Sequence, residues 1–299
     1  MKAIGVANEA SSITANRLGS FDFTRLVRIC LLVLWGIFAG FPIYWMAVTA
    51  FKNQKDIYQG PYFFPFIDFT PTGRAWEYMM GPARDDVLRG LKNSLLLAGV
   101  SSFFAVVLGA FAAYGLARYK YNYGPYRNND LAFLIVSQRI MPPIVAVIAL
   151  FAMFKAVNLI DTPIGMIIAY TWFNLPLTVF LLTDFMNRIP IEIEQAAAID
   201  GYGKIAQIWK VVLPLAMPGI AAAYLLSFFF AWNDFLLALM LTFRESVTLP
   251  IIITNMSAQM EPRWWLISAV GLVAIIPPMV AVVVLDRFVE RQVLHGGMR

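Results

Sequence analysis

The segment 192–218, EIEQAAAIDGYGKIAQIWKVVLPLAMP, is the polar stretch that separates two long apolar runs in the second half of the chain. Pro190 precedes it, and Glu192 and Glu194 lie in its first turn, where carboxylates favour the N-terminus of a helix. Gly201 predicts a break, because glycine adopts backbone angles that other residues avoid. The pattern therefore predicts two short helices around a turn.

The second of these helices has an apolar face with the spacing i, i+3, i+4 and i+7. The residues on this face are Ile205, Ile208, Trp209 and Val212. We expect Leu213-Pro214 to end this helix. In the first helix, the three alanines at 196–198 form a smooth patch that another protein could approach closely.

The composition indicates a membrane protein. Of the 299 residues, 60% are hydrophobic and 14% are charged, whereas a soluble domain is nearer half apolar and a quarter charged. The net charge of +5 comes from basic residues scattered between apolar runs, which favours topology signals over a nucleic-acid surface. A single cysteine, Cys30, excludes an internal disulfide, and a single histidine, His295, disfavours a histidine-based metal site.

Six apolar runs are long enough to cross a hydrocarbon layer of ~30 Å, for which about 20 residues suffice. They cover residues 27–50, 94–116, 131–154, 164–182, 216–241 and 266–285. The first run also exceeds the roughly 7–15 residues of a signal-peptide core. We therefore predict an all-α, polytopic membrane protein with six transmembrane helices. Basic residues in the short connections favour a cytoplasmic side for both termini.

This reading divides the chain into a cytoplasmic N-terminal tail (1–25), a transmembrane domain (26–291) and a cytoplasmic C-terminal tail (292–299). Residues 51–91 form a long hydrophilic connection on the outer side, where prolines and glycines argue against long regular structure. Residues 244–265 form a second outer loop.

The segment 190–214 resembles the EAA loop of bacterial ABC importer permeases, the cytoplasmic segment that docks on the ATPase subunit. Gln195-Ala196-Ala197, Gly201 and Val211-Val212-Leu213-Pro214 occupy the positions of that motif. Gln195 stands where the family usually has glutamate. The resemblance covers the chain from about Leu26 to about Arg291.

Two further features resemble the carbohydrate-importer branch of this family, and in particular the second permease subunit of maltose and glycerol-phosphate importers. They are Asp200, directly before the glycine, and the later Trp232-Asn233-Asp234-Phe235. The resemblance implies a type I permease fold. It also implies that the ATPase-coupling residues are Glu194, Gln195, Ala196, Ala197, Asp200 and Gly201.

The same resemblance implies a set of partners in the bacterial inner membrane. They are a second permease subunit that forms a heterodimer, two ATP-binding subunits and an extracytoplasmic solute-binding protein, with lipid around them and no nucleic acid. The chain has no Gly-rich loop of the GxxxxGK[ST] kind, so we expect ATP and Mg²⁺ on the partner ATPase and no cofactor or catalytic residue here.

Polar residues inside the apolar runs are the candidates for a substrate path, because burying such groups in hydrocarbon is costly. They are Arg139, Asn174, Asn233 and Asp234, together with the neighbouring Trp232. Each is also compatible with ordinary helix packing, and Arg139 with snorkelling to the inner face. Pro142-Pro143 predicts a kink beside Arg139.

In the second outer loop, the polar residues are Asn255, Ser257 and Gln259. This loop matches in position one that reaches into the binding protein in maltose-type permeases, which implies a binding-protein contact.

The sequence thus predicts the permease subunit of an ATP-driven importer, which forms the path for a sugar or a sugar derivative. A permease for another polar solute, such as an amino acid or an oxyanion, remains open, as does a self-sufficient carrier. A membrane-embedded enzyme would need carboxylates or histidines gathered at one membrane face, and the acidic residues here are scattered.

Overall fold

The computed structural model describes residues 23–124, 126–258 and 261–296. The helices of its first half are α1 (Phe23–Thr49), α2 (Gln54–Gln59), α3 (Arg74–Met80), α4 (Arg84–Arg118), α5 (Asn128–Ser137) and α6 (Pro143–Ala156). The second half has α7 (Pro163–Arg188), α8 (Ile191–Ile199), α9 (Lys204–Gln207), a π-helical segment (Ile208–Val212), α10 (Leu213–Trp232), α11 (Leu236–Leu241), α12 (Leu249–Ser257) and α13 (Trp264–Gly296). The strands β1 (Asn122–Tyr123) and β2 (Tyr126–Arg127) pair as an antiparallel hairpin.

Five helical stretches of the described chain are long and apolar enough to cross a membrane. They lie in α1, α4, α7, the continuous run from α9 through α10, and α13. The prediction of an all-α, polytopic membrane protein is therefore confirmed, whereas the predicted count of six transmembrane helices is not. Of the two predicted tails, residues 1–22 and 297–299 lie outside the described residues, and α13 continues into the C-terminal tail as far as Gly296.

The predicted span 131–154 is not one helix but two, α5 and α6. Pro142 and Pro143 explain the break, because proline has no N–H to donate and its ring clashes with the preceding helical turn. The 14 residues of α6 reach about 21 Å at ~1.5 Å per residue. This helix alone is too short to cross a hydrocarbon layer of ~30 Å. The sequence predicted a kink at the proline pair, and the structure has a full interruption there.

The predicted span 216–241 is also interrupted, because α10 ends at Trp232 and α11 begins at Leu236. The carboxylate of Asp234 accepts the backbone N–H of Ala238 at 3.1 Å, so it caps the new helix instead of continuing the old one. The polar residues of this predicted span thus lie at a turn between two helices.

Leu213-Pro214 does not end the preceding helix, contrary to the sequence prediction. The chain runs from α9 through the π-helical segment directly into α10. Pro214 lacks the N–H that a regular α-helical bond to Lys210 would use. The wider π turn just before it accommodates that missing bond, and so α9, the π-helical segment and α10 form one continuous helical rod.

Helices α4 and α7 form the closest long contact in the fold. A Cβ atom on Gly109 of α4 would lie 2.3 Å from Oγ1 of Thr178 on α7, so only glycine fits there. The same Oγ1 donates to the carbonyl of Ala105 at 2.9 Å. Small residues that let helix backbones approach are a common basis of packing in membranes. The two helices are therefore expected to move as a unit.

The two outer connections contain more helix than the sequence indicated. Residues 51–91 hold α2, α3 and the first turns of α4, and the loop 244–265 holds α12. Local capping explains these short helices: Asp56 accepts the backbone N–H of Asn53 at 3.3 Å, and Pro250 lies in the first turn of α12, where proline is favoured.

Asp161, in the turn between α6 and α7, joins two distant connections. Its carboxylate accepts four backbone N–H groups, those of residues 243–246, at 2.9 to 3.1 Å. Burial raises the pKa of Asp161, but these four hydrogen bonds outweigh it and hold the pKa below its ordinary value. The ionised form of Asp161 therefore holds the loop after α11.

Asp161→Asn should lower the free energy of unfolding by about 1–2 kcal/mol near neutral pH. The asparagine amide would place N–H donors of its own beside the four backbone N–H groups that the carboxylate accepts. Since the folded pKa is depressed, the stabilisation is complete above the unfolded pKa, about 3.9, and is lost as the pH falls through the folded pKa. The difference in melting temperature between wild type and variant, measured in detergent, should therefore shrink with acidification.

Asp130→Asn is the matched control, because Asp130 accepts the backbone N–H of Arg127 at 2.8 Å, whereas Asp161 accepts four such groups. It should cost less stability than Asp161→Asn. A melting-temperature difference that stays constant on acidification would contradict the role of the Asp161 carboxylate.

Candidate coupling segment and cavity

The segment 190–214 has the predicted pair of helices around a glycine turn. Gly201 adopts φ +87°, in the left-handed region that favours glycine. The N–H of Tyr202 donates to the carbonyl of Ala197 at 3.0 Å, and that of Gly201 to Ala198 at 3.1 Å, which closes the end of α8. The break in the sequence pattern is therefore confirmed in position and in conformation.

Glu194 points into the chain, toward the end of α4. Its Oε1 accepts Nε of Arg118 at 2.5 Å, and its Oε2 accepts the hydroxyl of Tyr114 at 2.9 Å. Arg118 also donates Nη2 to the carbonyl of Ile189 at 2.9 Å. The side chains of Arg118 and Glu194 are only 8% and 4% exposed. Because burying a charge is costly unless it is paired, this pair fastens α8 to α4.

The other residues expected to couple lie mostly on the opposite, exposed side of α8. Gln195, Ala196, Asp200 and Gly201 are exposed, whereas Ala197 is buried. The exposed members of the predicted set, Gln195, Ala196, Asp200 and Gly201, form what we call the outward surface. Glu194 is buried and anchors α8 to α4.

Apolar side chains extend this outward surface. Ile199 is 88% exposed, and Ile205 on α9 is 75% exposed. The apolar face predicted for 205–212 is divided, because Val212 is buried while Trp209 is exposed. Large apolar side chains at the tip of a polar turn are typical of a surface that another protein covers.

A second candidate site is a cavity of about 520 Å³ between α7, the end of α10 and the turn that follows. Aromatic rings line much of it, including Phe173 and Phe230. Three of the predicted path residues, Asn174, Asn233 and Asp234, also line it. The interruption at residues 233–235 thus brings polar groups from two helices to one place.

Hydrogen bonds hold these three polar side chains. Nδ2 of Asn174 donates to the carbonyl of Ser227 at 3.4 Å, but its buried Oδ1 has no partner. Nδ2 of Asn233 donates to the carbonyl of Phe229 at 2.9 Å. The hydroxyl of Tyr170 donates to Asp234 at 3.2 Å.

The remaining two predicted path residues differ from each other. The guanidinium of Arg139 lies 4.7 Å from the ring centroid of Phe230 and 5.7 Å from that of Phe173, so it is beside the cavity. Trp232 does not line the cavity. It is buried and stacks on Phe228 with ring centroids 5.7 Å apart.

The outer-loop candidates are separate from this cavity. Asn255 on α12 lines a pocket of about 330 Å³ together with Arg89, Arg244 and Arg263. The Oγ of Ser257 donates to the carbonyl of Thr254 at 2.7 Å. Gln259 lies outside the described residues.

Sequence reasoning missed Arg118, Tyr114 and Tyr170. Arg118 ends an apolar run, where a basic residue indicates only which side of the membrane it faces. A hydroxyl or guanidinium whose acceptor lies more than 60 positions away carries no local signal. Within the described ranges, no group of three or more His, Cys, Asp or Glu residues could hold a metal ion.

Comparisons with known proteins agree with this architecture. Residues 105–295 match the family model described as binding-protein-dependent transport system inner membrane component. The chain is 30% identical over 276 residues to the sulfoquinovosyl glycerol transport system permease protein SmoH of Agrobacterium fabrum, covering 92% of this chain and 93% of that one. It is 34% identical over 266 residues to the trehalose transport system permease protein SugB of Mycobacterium tuberculosis, covering 88% and 93%.

Among solved structures, the chain is similar to a bacterial ABC transporter involved in the import of the acidic polysaccharide alginate. The TM-score is 0.68 at 20% identity, and the match covers 89% of this chain and 96% of that one. At this identity the likeness shows the fold.

Glu194→Gln should lower the free energy of unfolding by about 3 kcal/mol, because it leaves the buried Arg118 without a counter-charge. The double variant Arg118→Met with Glu194→Gln should recover part of this loss, since no unpaired charge then remains. Thermal unfolding in detergent measures both effects.

Asp184→Asn is the matched control, because Asp184 forms an exposed pair with Arg188 at 2.6 Å on the neighbouring helix α7. Its melting temperature should stay near that of wild type. If Glu194→Gln were as harmless as Asp184→Asn, the Arg118–Glu194 pair would not be the anchor of α8.

Proposed function

Because the chain belongs to the family of binding-protein-dependent transport system inner membrane components, we propose that it lines the path of a sugar or sugar derivative in an ATP-driven importer. The observation that carries this proposal is the coupling segment, whose outward surface is exposed while Glu194 joins it to α4. The relatives named for sulfoquinovosyl glycerol and trehalose transport support the substrate class.

In this proposal a separate ATPase subunit binds ATP and Mg²⁺ and docks on α8 and the turn at Gly201. Closure of the ATPases moves α8, and the Arg118–Glu194 pair transfers that displacement to α4. Helix α4 packs on α7 through Gly109 and Thr178, and α7 supplies part of the cavity wall. A movement at the coupling segment therefore reaches the cavity through rigid, closely packed elements.

The cavity has the chemistry that a sugar path needs. Sugars present hydroxyl groups to hydrogen-bond acceptors and apolar ring faces to aromatic side chains. Asn174 and Asp234 supply acceptors, and Phe173 and Phe230 supply ring faces. In this proposal Asn233 and Arg139 complete the path, whereas Trp232 supports it from the packed core.

The proposed partners occupy three other faces. Helix α1 is exposed from residue 25 to residue 44, and Val48 and Thr49 near its end are buried, which leaves most of it to lipid and to a second permease subunit in a heterodimer. The pocket at Asn255 and the adjacent Ser257 and Gln259 would face the extracytoplasmic binding protein. The coupling segment would face two ATPase subunits on the cytoplasmic side of the inner membrane, where we also place both termini.

Ile199→Asp should abolish ATPase binding, because it puts a charge into an apolar surface that a partner must cover. The side chain is 88% exposed, so the chain itself should fold and insert as before. The measurement is co-purification of the ATPase subunit with the tagged chain in mild detergent, followed by ATP hydrolysis.

The matched control is Ile67→Asp, in the connection before α4, where the side chain is 82% exposed. This variant should retain the ATPase, because Ile67 precedes α4 in the chain, whereas the coupling segment is joined to the last residue of α4, Arg118. Equal retention of the ATPase by both variants would reject the coupling segment as the docking surface.

A further inference from the structure

Arg139 is a cation without a counter-charge in the part of the chain that the structure describes. It lies between α5 and α6, in the break made by the proline pair. Its Nη1 is buried and has no hydrogen-bond partner, and no described carboxylate lies within 4.0 Å of its guanidinium. Asp234, the acidic residue of the neighbouring cavity, is therefore not its ion-pair partner.

The surroundings of Arg139 attract a cation but do not satisfy its hydrogen bonds. The rings of Phe230 and Phe173 lie 4.7 and 5.7 Å from the guanidinium carbon, and ring faces attract cations. A guanidinium has five N–H donors in a fixed fork, which matches the oxygens of a carboxylate or a phosphate. Arg139 is partly buried, and its buried Nη1 has an unused donor. Leaving such a group without a partner is costly, so an additional group is expected to compensate it.

The cavity beside Arg139 holds a complementary set of acceptors. The buried Oδ1 of Asn174 has no partner, and the carboxylate of Asp234 lines the same cavity. The hydroxyl of Tyr170 and the N–H of Ala238 already donate to Asp234 at 3.2 and 3.1 Å, which moderates its charge. The cavity thus has acceptors for hydroxyl groups in its wall and a cation beside two of its aromatic rings.

We propose that the solute carried through this cavity is an acidic sugar, one that bears a carboxylate, sulfonate or phosphate group. Arg139 binds the oxyanion, Asn174 and Asp234 accept hydrogen bonds from its hydroxyl groups, and Phe173 and Phe230 hold Arg139 in place. This assignment rests on the proposed transport function and adds to it the charge of the substrate.

The test uses the complete importer, co-expressed with its ATPase, second permease and binding protein and reconstituted in proteoliposomes. Uptake is measured for sugars offered in pairs, each uronate, sulfonate or phosphate beside its neutral counterpart. Wild type should import an acidic member in preference to its counterpart. Arg139→Gln should lower that uptake by roughly tenfold or more, because a charge-assisted, two-pronged contact is lost, and Arg139→Lys should retain part of it.

Arg188→Gln is the matched control, because Arg188 is an exposed arginine that pairs with Asp184 on the surface of α7. It should leave uptake unchanged. Import of neutral sugars alone by wild type overturns the acidic-sugar assignment and leaves the transport function standing.

Two other outcomes are equally decisive. Loss of the second permease subunit from the purified Arg139→Gln complex would show that Arg139 pairs with that subunit, which overturns the assignment. Absence of any sugar uptake, and of any sugar-dependent ATP hydrolysis by an intact complex, rejects the proposed function itself.

Discussion

The buried ion pair between Arg118 and Glu194 holds the coupling segment on the helical bundle. Both charges are almost fully removed from solvent, Tyr114 donates a further hydrogen bond to Glu194, and Arg118 donates one to the carbonyl of Ile189. Breaking such a pair leaves an uncompensated charge, which is far more costly than losing a surface ion pair. A short helix with few packing contacts of its own can therefore behave as a rigid extension of α4.

The cavity lies where two helical runs are interrupted. The proline pair separates α5 from α6 beside Arg139, and Asp234 starts a new helix after Trp232. Non-helical backbone at membrane depth is tolerated where it lies within protein or beside a polar space. Both interruptions meet α7, which packs on α4 through Gly109. The two sites are thus connected by one closely packed pair of helices.

The sequence alone determined the class of the protein and the position of the two short helices around Gly201. Four of the six predicted apolar runs, 27–50, 94–116, 164–182 and 266–285, each correspond to one continuous helix, because a helix satisfies its own backbone hydrogen bonds in hydrocarbon. The turn at Gly201 was equally predictable, since its positive φ is a local property of glycine. The polar path residues were recognisable because a polar group within an apolar run is costly and rare.

Only the tertiary structure decided what those residues contact. The sequence placed Glu194 in the first turn of a helix and among the expected coupling residues, but its pairing with Arg118 joins positions 76 residues apart in the chain. Trp232 and Asp234 are two positions apart, yet one packs in the core and the other lines the cavity. The helix ends at Ser137 and Trp232 fall inside runs of uniform hydrophobicity. Hydropathy reports the cost of transfer from water, whereas pairing and helix ends depend on neighbours that folding brings together.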